Sequence, residues 1–245
     1  MNEQAAPQFS GRTDGSDGRI GELSSGDIPD SFGAAAADED VEELKTGTTT
    51  VGITATDGVV LAADRRASVQ NMVASKTSVK IHEIHPQAAM TISGSVSAAQ
   101  ALVKQIRAEG RLYETRRGKE MSMTALSTML ANLLRSGQFL ITAPVLGGVD
   151  EEGPHVYSFD PIGGGGEEEY TVSGSGSMYA LGVLEDKFHS DLSLDEARDV
   201  AIQCIRSATS RDTASGNGMM LTTITEDGVE SETFETMDDV PVVSE

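Results

Sequence analysis

The sequence has little of several features that would place it in common functional classes. Of its 245 residues only one, Cys204, is a cysteine, so no disulfide can form within the chain. Cys204 stands in the apolar stretch "DVAIQCIRSA", which predicts a buried core residue. No run of 18 apolar residues is present, which argues against a membrane-spanning helix. The N-terminal stretch lacks the apolar region of a secretory signal, so the expected location is the cytoplasm.

Basic residues are also scarce. The chain has 18 lysines and arginines against 39 acidic residues, a formal net charge of −21. This balance argues against binding to nucleic acid or to an anionic membrane, because both need a basic face. Two interpretations of the acidity remain open. It either serves solubility alone or suits a protein that works in high salt, where the repulsion between like charges is screened.

The familiar catalytic signatures are absent as well. The chain has four histidines, and no G-x-S-x-G motif accompanies them, so a serine–histidine triad is poorly supported. Neither H-E-x-x-H nor C-x-x-C occurs, so no metal centre is predicted.

The composition changes abruptly near residue 47. Residues 1–47 contain 11 acidic and 3 basic residues and are rich in Gly, Ser, Asp and Ala. Their apolar residues are isolated, so this segment is expected to bury little surface and to be disordered or weakly docked. From Thr48 onward the chain has the patterns of strands and helices.

The order of these patterns predicts an α+β fold. "TTTVGITA" and "VVLAAD" form a hairpin over residues 48–63, followed by the strands "KIHEI" and "AAMTISG". Two helices follow, "SAAQALVKQIRAEGRLYETRR", in which Leu112 belongs to the apolar face, and "SMTALSTMLANLLRSG" capped by Ser122. The strands "APVLGGVD", "PHVYSFD" and "EEYTVSG" precede two more helices, the second with a capping box of Ser193 and Glu196. "GMMLTTIT" and "VESETFET" close the chain as strands, so packed sheets with helices outside are expected.

The junction between Gly47 and Thr48 carries the most specific chemistry. A threonine hydroxyl is a weak nucleophile at neutral pH and needs a base. A threonine at a free N-terminus has one in its own α-amine, whose pKa is roughly 7.7 to 8.0. Removal of the first 47 residues would create that amine, and Gly47 leaves the bond open to attack. The alternative is that Thr48, Thr49 and Thr50 are only strand-forming residues.

Several motifs together resemble the β subunits of the proteasome, which are threonine proteases of the N-terminal nucleophile hydrolase superfamily. They are "GTTTVGI", "DGVVLAADRRAS", "TISG", "GSGS" at 174–177 and "RDTASG" at 211–216, in the family's order. The similarity runs from about Thr46 to about Thr225 and is greatest to archaeal subunits, and the acidity suggests a halophilic one. The resemblance implies a four-layer αββα sandwich over residues 48–245, behind a propeptide of residues 1–47 that is removed autocatalytically.

The resemblance also assigns roles to individual residues. Thr48 matches the nucleophile, released by cleavage after Gly47. Asp64 in "ADRR" and Lys80 in "VKIHEI" match the family's acidic residue and lysine. A Lys80 cation would favour deprotonation of the hydroxyl and lower the pKa of the amine. Gly94 matches the residue whose N–H stabilises the oxyanion. Without the resemblance, an ordinary ion pair and a turn glycine would explain Asp64, Lys80 and Gly94.

Three further residues match a hydrogen-bonding cluster around the new amine, Ser175, Asp212 and Ser215. Taken singly, each would be explained as loop or cap chemistry. The resemblance also implies a pocket for the substrate residue before the cut, at the positions Ala67, Ser78, His82, Ile92 and Val96. These positions are largely apolar and include no acidic residue. Cleavage is therefore expected after large hydrophobic residues.

The family assembles into stacked seven-membered rings, so the implied partners are α subunits and other β subunits. Regulatory ATPases that act through the α rings would supply unfolded protein as substrate. Two alternatives remain. One is an N-terminal nucleophile amidase acting on small molecules, and the other is a structural ring subunit without activity.

Overall fold

The computed structural model describes residues 47–69, 71–139 and 142–241. Of the predicted propeptide only Gly47 is among them, and residues 1–46 lie outside the described residues. Within the described part of the chain, no helix combines the length and apolar character needed to cross a bilayer.

Twelve strands and four helices make up the described ranges. The strands are β1 (Thr49–Ala55), β2 (Gly58–Asp64), β3 (Ala67–Val69), β4 (Met72–Ser75), β5 (Ile81–His85), β6 (Ala88–Gly94), β7 (Thr142–Asp150), β8 (Gly153–Phe159), β9 (Gly165–Glu168), β10 (Tyr170–Gly174), β11 (Met219–Thr225) and β12 (Gly228–Phe234). The helices are α1 (Val96–Arg117), α2 (Met123–Arg135), α3 (Ser177–Lys187) and α4 (Leu194–Arg211).

The strands form two five-stranded antiparallel sheets and one small hairpin. The first sheet has the order β10-β1-β2-β11-β12, and the second has the order β5-β6-β7-β8-β9. In the first sheet Thr50 pairs with Ala63 on one side and with Ser173 on the other. This register places the start of β1 beside the ends of β2 and β10. The hairpin of β3 and β4 stands apart from both sheets.

Three apolar clusters define four layers. Residues of both sheets, among them Leu61, Val145 and Val156, form the central cluster. A second cluster lies between the first sheet and the helices α3 and α4, and a third lies between the second sheet and α1 and α2. Strand β2 is buried along its whole length because it packs on both faces. Side chains alternate between the faces of a strand, so Leu61 meets the other sheet while Val60 and Ala62 meet the helices. The predicted α+β sandwich is confirmed.

Several local predictions are also confirmed. The Ser122 hydroxyl accepts the N–H of Ala125 at the start of α2. Ser193 and Glu196 form a complete capping box at the start of α4. Cys204 is fully buried in the cluster beneath α4, and burial raises the pKa of its thiol to about 12. The thiol is therefore a core group without reactivity at neutral pH.

Three predictions of local structure were wrong or incomplete. Leu112 does not face the core, because 41% of its surface is exposed on α1. The segment "EEYTVSG" is not one strand. It contains the end of β9 and all of β10, and the chain passes from one sheet to the other at Glu169, whose carbonyl accepts the N–H of Thr54. The hairpin of β3 and β4 was missed, because its strands of 3 and 4 residues are too short to show an alternating pattern.

Candidate active site

Thr48 stands immediately before β1, at the edge where β1, β2 and β10 meet. Only 4% of its surface is exposed. Its backbone N–H donates to Ser175 Oγ at 3.3 Å, and its hydroxyl donates to the carbonyl oxygen of Gly47 at 2.6 Å. The predicted nucleophile therefore lies against the carbonyl group of the peptide bond that precedes it.

Asp64 is the last residue of β2, and its carboxylate is fully buried. Oδ1 accepts hydrogen bonds from Lys80 Nζ at 2.6 Å and from the N–H of Thr49 at 2.8 Å. Oδ2 accepts from the N–H groups of Gly216 at 2.8 Å and Arg66 at 3.0 Å. Four donors thus compensate a charge whose burial would otherwise be very costly.

Lys80 precedes β5, and its backbone is fixed by the hydrogen bond from the N–H of Ile92 to its carbonyl group. Burial lowers the pKa of Lys80 below its ordinary value of 10.5, while the Asp64 carboxylate acts in the opposite direction. The side chain is thus a cation that gives up its proton more readily than a surface lysine. Asp64 Oδ1 also accepts the N–H of Thr49, so the ion pair is hydrogen-bonded to the residue that directly follows Thr48.

The three predicted cluster residues also meet. Asp212 Oδ2 accepts from the hydroxyls of Ser175 and Ser215, each at 2.6 Å. A carboxylate can only accept, so the Ser175 hydroxyl donates to Asp212 and accepts from the N–H of Thr48. Ser215 Oγ is also 2.7 Å from Thr49 Oγ1. The Thr48 nitrogen is therefore connected through one hydroxyl to a carboxylate, an arrangement that can orient an amine.

Gly94 ends β6 in the second sheet, with a positive φ of 114° that favours glycine. A hydrogen bond between Ser93 Oγ and Ser173 Oγ at 2.8 Å connects this strand with β10. Both hydroxyl oxygens also lie close to the carbonyl oxygen of Ala143, at 2.9 and 3.1 Å, so one hydroxyl donates to that carbonyl and the other donates to its serine partner. This bridge ties the strand that ends at Gly94 to the strand that pairs with Thr50. The oxyanion role of Gly94 remains a prediction.

Two glycines allow the cluster to pack closely. At Gly174 φ is 102°, and a Cβ there would lie 2.0 Å from the carbonyl oxygen of Thr48. At Gly176 a Cβ would lie 2.1 Å from Thr49 Oγ1. The two glycines of "GSGS" thus bring Ser175 within reach of the start of β1.

The five predicted pocket residues come from separate elements. Ala67 belongs to β3, His82 to β5, Ile92 to β6 and Val96 to the start of α1, while Ser78 precedes β5 and donates its N–H to the carbonyl of Arg65. Burial lowers the pKa of His82, and the nearby Arg107 cation adds to the shift. His82 is therefore neutral at neutral pH, which fits an apolar pocket. Val96 is 57% exposed.

Sequence reasoning assigned no role to two residues that complete the site. Thr49 contributes its N–H to Asp64 and its hydroxyl to Ser215. Gly216 contributes its N–H to Asp64 Oδ2; its φ of 153° is one that residues with side chains rarely adopt, and a Cβ there would lie 2.6 Å from the Arg66 guanidinium. The signals were present in the second threonine of "TTT" and in the last letter of "RDTASG".

Comparison with known proteins shows the family to which the chain belongs. A family model described as "Proteasome subunit" matches residues 44–224. A proteasome subunit beta of Haloferax volcanii is 55% identical over 239 residues, which cover 94% of this chain and 96% of the relative. One of Halorubrum lacusprofundi is 58% identical over 206 residues, 84% of this chain and 85% of the relative. One of Haloquadratum walsbyi is 57% identical over 225 residues, 91% and 92% of the two chains. The chain therefore belongs to the proteasome subunit family, as a β-type member similar to those of halophilic archaea.

Proposed function

We propose that this chain is a catalytic β subunit and a threonine endopeptidase, with Thr48 as its nucleophile. The observation that carries the proposal is the position of Thr48. Its hydroxyl lies 2.6 Å from the carbonyl oxygen of Gly47, and its nitrogen is bonded to the Ser175 hydroxyl. One residue thus presents a hydroxyl to the bond that must be cut and a nitrogen to a group that can orient the amine. The lysine–carboxylate pair beside it supplies the charges that such a reaction needs.

The first reaction is removal of residues 1–47 as a propeptide. The Thr48 hydroxyl adds to the carbonyl carbon of Gly47, and its proton passes through Lys80 or a water molecule to the Thr48 nitrogen. The bond between that nitrogen and the Gly47 carbonyl carbon breaks, which leaves an ester on Thr48 Oγ and a free amine. Water hydrolyses the ester, so that Gly47 becomes a carboxylate and the Thr48 hydroxyl is restored.

The second reaction uses the same hydroxyl on a peptide substrate. Thr48 Oγ attacks the substrate carbonyl, assisted by the new amine or by Lys80, and forms an acyl-enzyme that water hydrolyses. The pKa of a free α-amine lies close to neutrality, which suits a general base. Ser175 and Asp212 hold that amine in place, and the N–H of Gly94 is assigned to the oxyanion. None of these steps requires a metal or an organic cofactor.

The proposed partners are α subunits and further β subunits in stacked seven-membered rings. Regulatory ATPases acting through the α rings would deliver unfolded protein, and the products are short peptides. We place the particle in the cytoplasm. The family membership supports assembly into a proteasome core, and the seven-membered rings and the ATPase are part of the proposal.

Degradation of intact casein by particles assembled with the α partner tests the function. Wild-type particles should digest casein, and Thr48→Ala should lower the rate by a factor on the order of 10⁴–10⁶, because no other group replaces the nucleophile. Thr48→Ser should retain part of the activity. Thr54→Ala is the matched control, since Thr54 lies on β1, the strand that directly follows Thr48, and its hydroxyl donates to the carbonyl of Glu169. Casein digestion by Thr48→Ala at the wild-type rate would refute the assignment. Hydrolysis of small amides without digestion of casein would favour the amidase.

A further inference from the structure

Gly47 occupies a buried slot in which both of its backbone polar groups are bonded to hydroxyls. Its N–H donates to Ser68 Oγ at 3.1 Å, and its carbonyl oxygen accepts from Thr48 Oγ1 at 2.6 Å. These two contacts fix the peptide group on either side of the Gly47 Cα. Hydrogen bonds on both sides of the Gly47 Cα therefore fix the orientation of the carbonyl group that Thr48 must attack.

The surroundings of Ser68 leave its hydroxyl oxygen available to accept this N–H. The residue is 4% exposed and lies in β3, where the register with β4 shifts between Ala67 and Ser68. Its hydroxyl donates to the carbonyl of Ala214 at 3.4 Å, which leaves a lone pair for the N–H of Gly47. Ala214 is the neighbour of Ser215, so Ser68 connects the end of the leader to the loop that carries the site.

The slot admits no side chain at the position of Gly47. A Cβ there would lie 1.9 Å from Ala214 Cβ and 2.3 Å from Ser68 Oγ. A substrate residue with a side chain therefore cannot take the place that Gly47 takes before cleavage. A peptide cut after a large hydrophobic residue must lie differently, and it cannot use the Ser68 hydroxyl in the same way.

We propose that Ser68 is a positioning residue for removal of the leader and has no comparable part in the cleavage of peptide substrates. The inference rests on the proposed function, because it assigns Ser68 to the first of its two reactions. By holding the N–H of Gly47, the Ser68 hydroxyl sets the orientation of the Gly47 carbonyl toward the Thr48 hydroxyl. After cleavage Gly47 departs, and this contact no longer exists.

The experiment follows leader removal in the full-length chain by intact mass after mixing with the α partner. Ser68→Ala should slow leader removal about tenfold, a change equal to about 1.4 kcal/mol of activation free energy. Ser68→Thr keeps a hydroxyl and should restore most of the rate. Peptide hydrolysis is then measured in the same particles and divided by the amount of cleaved chain. This activity per cleaved chain should equal that of the wild type for both variants.

Ser75→Ala is the matched control, since Ser75 lies on the neighbouring strand β4 and its hydroxyl accepts the N–H of Thr77. It should leave the rate of leader removal unchanged. The inference is overturned if Ser68→Ala removes its leader at the wild-type rate, if Ser75→Ala slows removal equally, or if activity per cleaved chain falls as much as leader removal does. Failure of the wild-type chain to remove its leader would instead refute the proposed function, and this inference with it.

Discussion

Lys80 Nζ lies 2.6 Å from Asp64 Oδ1, and both side chains are almost completely buried. A buried ion pair is favourable only when further hydrogen bonds satisfy its remaining atoms. Here three backbone N–H groups complete the shell of the carboxylate, those of Thr49, Arg66 and Gly216. The pair is thus coupled to the start of β1 and to the loop after α4, the two segments that carry Thr48 and Ser215.

The coupling predicts how peptide hydrolysis depends on pH. When the α-amine of Thr48 is the base, Lys80 acts as a cation, and burial lowers its pKa below 10.5. Activity should therefore fall on the alkaline side at a pH below 10.5. Asp64→Asn removes the charge that raises the pKa of Lys80 and leaves the effect of burial, so the alkaline limb should move to lower pH. The measurement is a pH profile of kcat/KM on cleaved particles.

The same substitution should destabilise the chain by about 3–5 kcal/mol, because it leaves a buried lysine without its partner. Asp227→Asn is the control, since Asp227 is exposed in the turn between β11 and β12 and loses the same charge. It should change neither the profile nor the stability. An alkaline limb of Asp64→Asn that coincides with the wild-type limb would show that Lys80 does not titrate in the reaction.

We expect the predicted pocket residues to set the preferred cleavage site. Ala67 and Val96 leave space, and the lowered pKa of His82 keeps that imidazole uncharged at neutral pH. None of the five pocket positions is acidic, so the pocket offers no carboxylate to pair with a basic side chain of the substrate. We expect fluorogenic peptides ending in Leu, Phe or Tyr to be cleaved faster than peptides ending in Arg. Faster cleavage of the Arg peptides would refute the assignment of the pocket.

The acidity predicts a requirement for salt. Residues 48–245 contain 28 acidic and 15 basic residues, a formal charge of −13 for each mature chain. In the proposed rings, fourteen such chains repel each other, and the Debye length falls from about 10 Å at 0.1 M salt to about 3 Å at 1 M. Sedimentation should show intact particles in molar salt and dissociation in dilute buffer. An intact and fully active particle at low salt would contradict the halophilic interpretation and leave the protease assignment untouched.

Much of the fold could be predicted because its signals are local. The caps at Ser122 and Ser193 and the hairpin of β1 and β2 depend on neighbouring residues, and all three are found in the structure. The grouping of Thr48, Asp64 and Lys80 could not be predicted from spacing. It follows from strand pairing that brings distant segments together, and only the resemblance to a family indicated it.

What was missed depends on contacts that no short pattern records. The backbone N–H that Thr49 donates to Asp64 is the same for every residue type except proline, and its hydroxyl meets Ser215, 166 residues away, only in the folded chain. The division of "EEYTVSG" between two sheets follows from the crossing of the chain at Glu169. Leu112 has the apolar character of a core residue, but its place on α1 turns it toward solvent.

The identity of the mature N-terminus tests the central claim most directly. In the full-length chain the Thr48 nitrogen is an amide and cannot act as a base, so the hydroxyl must first cut the bond after Gly47. N-terminal sequencing before and after assembly with α rings follows this step. We predict that the isolated precursor keeps its leader and that the assembled chain begins with Thr48-Thr49-Thr50-Val51. A mature chain that begins at Met1, Thr49 or Thr50 would contradict the account, because Thr48 would then be only a residue leading into a strand.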